Sequence, residues 1–282
     1  MLEVVELIKA AHFIIFFSLI FTLSIWIKEE FITIFNRKRI AGLGLLKVLI
    51  VKTISEENGY HQEVGRSKLE NVVLYLCSIL GALLPLLYFQ LADPQTILDM
   101  DLTLGILNVE NSWLFIFYIL ITGELIRGYY EKEFMRTSLK VPLLLLLLIT
   151  FYEVIPSFSV EQFIQYQKSF GESGLRNYLL FINPIGLIVF ALIIFLEIRN
   201  PNEEFSLINN LYLNTYILLF VFAFLGGYGL PSVLSESDFV IGSKIIVLQT
   251  ISLLAKYFFC LILVWVLKYS LIKETRRTIY GN

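Results

Sequence analysis

The chain has 282 residues, 57% of them hydrophobic and 16% charged, with a net charge of −2. A soluble domain carries about 25% charged residues, so this composition excludes an ordinary soluble globule, and the slight negative balance argues against nucleic acid as a partner. The two histidines, His12 and His61, and the two cysteines, Cys77 and Cys260, both inside apolar runs, exclude a disulfide framework and leave no metal or iron–sulfur ligand set.

A transmembrane helix needs about 20 mostly apolar residues. Seven runs qualify: Ala10–Ile27, Asn71–Leu91, Leu102–Ile126, Val141–Ser157, Tyr178–Leu196, Tyr212–Tyr228 and Ile245–Lys268. The first lacks a small-residue cleavage motif, so it reads as a span rather than a signal peptide. The runs are continuous rather than alternating, which excludes a β-barrel. No Gly/Ser or Pro linker and no internal repeat divides the chain, so residues 1–282 form a single polytopic domain. The expected fold is all-α and integral to a membrane, with about seven transmembrane helices.

After the first run, Gly42–Lys52 is too short and too basic to span. Lys47 and Lys52, five residues apart, lie within about 140° of each other on a helical wheel. This pattern predicts an amphipathic helix lying at the membrane interface in the first inner loop, or a plain amphipathic loop helix without a ligand. The 2–3 connection holds Asp93, Asp99 and Asp101 and no base. All Lys and Arg except Lys9, Lys168, Arg176, Lys244 and Lys256 fall in connections on the opposite side or in the C-terminal tail. By the excess of positive charge on inner loops, the N-terminus is outside and the C-terminus inside, which requires an odd number of spans. Glu110, Glu124 and Glu153 lie within spans and are candidates for function, with plain helix-end anchoring as the alternative. His12 and Lys256 also lie in spans and suit lipid headgroups or neighbouring helices equally.

The fifth run ends in F-L-E-I-R-N-P-N-E-E-F, Phe195 to Phe205. Glu197 and Arg199 stand where the run meets water, Pro201 ends the helix, and Glu203 and Glu204 follow. Such charges can simply snorkel from a helix end. They can also mark a site, since ionisable groups in a membrane are costly to retain.

Six motifs in order give the chain a resemblance. Glu29-Glu30 precede Arg37-Lys38-Arg39, and Gly44-Leu45-Leu46 open the amphipathic stretch. Asp101-Leu102-Thr103-Leu104-Gly105-Ile106-Leu107 heads the third run, and Pro184-Ile185-Gly186-Leu187 leads without a gap to Glu197. Ala223-Phe224-Leu225-Gly226-Gly227-Tyr228 ends the sixth run. In the seventh run, Ala255-Lys256-Tyr257-Phe258-Phe259 is followed by Trp265-Val266-Leu267-Lys268 and then by Arg276-Arg277. Together these resemble the quinone-site membrane subunit of respiratory complex I, a family shared with membrane-bound hydrogenases. The chain departs from the family in the Gly-Pro after the first-loop arginines, in Pro201-Asn202, and in stopping before an eighth span. The family's fourth-span glutamate motif aligns with Ser138-Leu139-Lys140-Val141-Pro142, which puts Lys140 at a proton-path glutamate. Phe151-Tyr152-Glu153-Val154-Ile155-Pro156 is the closer local match but falls near the outer face.

The resemblance implies a subunit of a proton-translocating NADH:ubiquinone reductase that is not catalytic alone. Quinone is the expected substrate, with iron–sulfur clusters and flavin in partner subunits and no cofactor ligated by this chain. Expected partners are the other membrane and hydrophilic subunits, lipids and a separate peptide supplying the eighth helix. Glu29, Asp101, Glu197, Glu203 and Glu204, with Arg37, Arg39 and Arg199 as counter-charges, are the implied quinone-chamber and proton-relay residues. The richness in Phe and Tyr suits an AT-rich organellar genome, hence a mitochondrial inner membrane, or a bacterial cytoplasmic membrane. The alternatives are a hydrogenase anchor without quinone, or a structural or carrier membrane protein. A carrier would show an internal repeat or paired broken helices.

Overall fold

The computed structural model describes residues 10–11, 14–27, 68–89, 95–97, 100–102, 110–131, 134–169, 178–198, 207–229 and 243–280. The described chain is predominantly helical. In order it runs α1 (Ile14–Ile27), α2 (Lys68–Leu83, continued by a 3-10 segment Leu84–Tyr88), α3 (Ser112–Glu131), α4 (Phe134–Val154), α5 (Val160–Lys168), α6 (Leu179–Ile182), α7 (Pro184–Ile198), α8 (Leu207–Phe224) and α9 (Ser243–Tyr280). A small antiparallel hairpin, β1 (Gln95–Ile97) and β2 (Met100–Leu102), sits between α2 and α3.

Each of the seven apolar runs overlaps one of the helices α1, α2, α3, α4, α7, α8 and α9, and the fifth also holds α6. Four helical segments are long and apolar enough to cross a membrane: Leu69–Tyr88, Phe134–Val154, Leu207–Phe224 and Val247–Lys268. Ile14–Ile27 and Pro184–Ile198 are apolar but shorter. α3 has the length of a span but carries Glu124, Arg127 and Glu131. The third run does not start a helix at Leu102, which is in β2 paired with Gln95. Its helix begins at Ser112 and extends five residues beyond Ile126, to Glu131. The fifth run is broken at Asn183, whose side chain caps α7: Oδ1 accepts from the Gly186 N–H at 2.7 Å, and Nδ2 donates to the Thr150 carbonyl at 3.1 Å. The loop stretch Gly42–Lys52 lies outside the described residues.

α8 is the axis of the bundle. It is apolar all round and 78% buried, and it packs against α2, α5, α7 and α9. A helix hydrophobic on every face belongs inside a core. Around it α2 packs on α3, α3 on α4, and α4 on α7. Small residues let these helices approach closely: a Cβ on Gly81 would fall 2.6 Å from the Gly123 Cα and 2.8 Å from the Tyr212 hydroxyl.

The two ends of the bundle differ. At one end Trp113, Phe151 and Phe163 gather, with Trp113 ring centroids 5.4 and 5.2 Å from the other two. The short helix α5 closes this end, with Ser159 as its N-cap and Gln167 Nε2 donating to the carbonyls of Phe222 and Ala223. There α8 ends in Gly226 (φ +71°) and Gly227 (φ +52°), a left-handed pair that glycine adopts without strain. The Lys256 ammonium donates to the carbonyls of Gly227 and Gly229 at 2.8 and 2.7 Å. The opposite end holds charge.

Candidate functional site: a buried charge network

Helical spacing assembles the charged end. On α3, Glu124, Arg127 and Glu131 are three and four residues apart and share one face. On α4, Arg136 and Lys140 are four apart, one turn before Pro142. Glu197 is the last residue but one of α7. From α8, Asn209, Tyr212 and Tyr216 fall within about 60° of one another on the wheel and turn toward this cluster.

Three carboxylates and three cations therefore meet. The Lys140 Nζ contacts Glu124 Oε1 at 2.9 Å and Glu197 Oε2 more closely. The Arg127 Nη1 reaches Glu197 Oε1 at 3.1 Å and Glu124 Oε1 at 3.4 Å, and its Nε lies 3.1 Å from Glu131 Oε2. Its Nη2 donates to Asn209 Oδ1, and its guanidinium stacks over the Tyr212 ring, 4.8 Å from the centroid. The Arg136 Nη2 lies 3.1 Å from Glu197 Oε2 and 3.4 Å from the Glu197 carbonyl oxygen. There it neutralises the negative end of α7. The Tyr216 hydroxyl donates to Glu124 Oε1 at 2.6 Å. Lys140 is 0% exposed, Glu124 and Arg127 2%.

Removing ions from water costs several kcal/mol each, and only close pairing with further hydrogen bonds offsets it. Here each charge of the cluster faces an opposite charge within hydrogen-bonding range. Groups so arranged can hold a proton, pass it on, or fix four helices in register.

A second, uncharged polar junction lies on the other side of α8. Asn214 is about 140° from Asn209 on the wheel. Its Oδ1 accepts from Ser24 of α1 at 2.9 Å and from the Tyr257 hydroxyl of α9 at 2.6 Å.

Of the residues anticipated from sequence, Glu197 is inside the network. Glu29, Arg37, Arg39, Arg199, Glu203 and Glu204 lie outside the described residues. Asp101 is on β2, paired with Thr96, ahead of the N-terminal end of α3, whereas Glu124 is near the C-terminal end of that helix. Among the described residues, the counter-charges of Glu197 are Arg127, Arg136 and Lys140. Its surroundings there are a mixed network rather than clustered acids. Glu124 belongs to it, while Glu110 and Glu153 are exposed. Arg127 and Arg136 had counted only as basic residues of an inner connection. Their signal was present in the E-x-x-R-x-x-x-E and R-x-x-x-K spacings. Asn209, Tyr212 and Tyr216 gave no signal beyond being polar groups in an apolar run. Lys256 donates to the carbonyls of Gly227 and Gly229.

Among the described residues, no three His, Cys, Asp or Glu side chains gather as a metal site. No protein-family model matches the chain, and no curated protein matches it. The apolar helices give it the character of a membrane protein, with a charge-balanced polar core at one end of a helical bundle.

Proposed function

We propose that this chain is a membrane subunit of a proton-translocating quinone reductase of the complex I type, in which the buried network links quinone chemistry to proton movement. The observation that carries the reading is the meeting of Glu124, Arg127, Lys140 and Glu197 from three helices in a site shut off from solvent. Ionisable groups retained at such cost inside a membrane bundle mark ion or proton pathways. The motif order from Glu29 to Arg277 supports the family, while Lys140 departs from it by standing where the resemblance puts a proton-path glutamate.

In this reading the seven helices α1, α2, α3, α4, α7, α8 and α9 all span, the N-terminus is outside, and the charged end faces inward. There the chain meets hydrophilic partners bearing iron–sulfur clusters and flavin, with ubiquinone as the substrate. The membrane is the mitochondrial inner membrane or a bacterial cytoplasmic membrane. The completeness of the charge pairing favours a second reading, a static anchor of the hydrogenase kind, in which the network only holds helices together.

Glu197→Gln separates the two. It keeps volume and hydrogen bonding and removes the charge. Assembled complex carrying it should lose at least about tenfold in quinone reduction, equivalent to about 1.4 kcal/mol of barrier. Assembled complex with unchanged turnover would leave the anchor as the better reading.

A further inference from the structure

The three cations of the network are not equivalent. A guanidinium keeps its proton throughout the range that proteins meet, whereas a desolvated ammonium can give one up. Lys140 is the network's lysine and is fully buried. Two side chains directly bridge Glu124 and Glu197: Arg127 through Nη1, and Lys140 through Nζ. Only the second can exchange a proton with either carboxylate. The groups facing it are Glu124 and Arg127 from α3, Glu197 from α7, Tyr216 from α8 and, on its own helix, Arg136. The Tyr216 ring centroid lies 5.6 Å from Nζ.

We propose that Lys140 is the proton-transfer bridge of the network, carrying a proton between Glu197 and Glu124 while Arg127 and Arg136 hold the surrounding charge fixed. The proposal rests on the proton-relay reading above. The step begins with Glu197 as a carboxylic acid, loaded from water at the charged end, Lys140 as ammonium and Glu124 as carboxylate. An N–H bond of Lys140 breaks as an O–H bond forms on Glu124, leaving a neutral amine. The Glu197 O–H then breaks, and its proton restores the ammonium. One proton has moved from Glu197 to Glu124, Lys140 is as it began, and no electrons are transferred.

Lys140→Arg is the informative variant, because it keeps the positive charge and cannot release a proton. The full chain is placed in phosphatidylcholine vesicles and subjected to a rapid pH drop. The infrared carbonyl band of protonated Glu124, assigned by its loss in Glu124→Gln, is followed in time. In Lys140→Arg that band should rise about 100-fold more slowly than in the wild type, the scale of one positioned acid–base group. Equal rates, or no Glu124 band in the wild type, would overturn the proposal. Should Lys140→Arg fail to fold, the wild type labelled with ¹⁵N-lysine decides. Lys140 ammonium hydrogens that exchange with solvent as fast as Glu124 protonates support the bridge, and exchange over hours overturns it. None of these readouts uses quinone. Their failure leaves the proposed function standing, and an assembled complex without turnover would sink that function without touching them.

Discussion

At the residue scale, geometry separates side chains that sequence treats alike. Arg127 binds Glu131, Glu197 and Asn209 with three different nitrogens. Lysine has one nitrogen and cannot reproduce that fork. Arg127→Lys should therefore destabilise the folded chain by about 1.5–3 kcal/mol, the worth of a hydrogen bond to a charged group, despite the retained charge. Unfolding in bicelles by denaturant would measure it, and a change below about 0.5 kcal/mol would mean that the fork is not formed. Tyr216→Phe removes a single donor to Glu124 and should cost less, about 1 kcal/mol. Glu197 was legible from sequence because an apolar run and Pro201 frame it. Asn209, Tyr212 and Tyr216 were not, since α8 is apolar on every side and its pattern points to no face. Which polar residue of such a helix meets which neighbour is decided by packing across the bundle.

At the scale of elements, continuous hydrophobicity located each long helix but blurred its ends. The third run reads as unbroken from Leu102, yet β2 occupies its start and α3 begins at Ser112. The fifth is interrupted at Asn183, where a side chain replaces backbone partners. Asn183→Ala removes that cap and leaves the Thr150 carbonyl without its bond. A loss of about 1 kcal/mol is expected, and a protein as stable as wild type would show the cap to be dispensable. Helix α5 was missed because nine residues with Ser159 as N-cap are too short for any span criterion. The close helix approach at Gly81 and Gly123 also abuts the Tyr212 hydroxyl. Gly81→Val should thus cost about 1–3 kcal/mol through overpacking. It should also push Tyr212 from beneath Arg127, lowering activity of the assembled complex together with stability. Intact activity alongside lowered stability would uncouple the crossing from the site.

At the scale of the whole molecule, the bundle has a charged end and an aromatic end. In the proposed seven-span arrangement, the residues after Ile27 and after Ile198 lie on the same side, opposite the start of the chain. Membrane-impermeant thiol labelling of single cysteines introduced at Glu30 and at Asn202, in a background lacking Cys77 and Cys260, should tag both from the inner side only. Labelling of the two from opposite sides would remove one span. The central claim is that charges from α3, α4 and α7 form one balanced, interdependent network. The most direct measurement is a double-substitution cycle on Lys140 and Glu197, read as unfolding free energy in bicelles. Lys140→Met and Glu197→Gln should each cost about 3–5 kcal/mol, because each strands an opposite charge in the interior. The double variant removes one charge of each sign. It should fall short of the sum by about 1–3 kcal/mol. Losses that simply add would contradict the network.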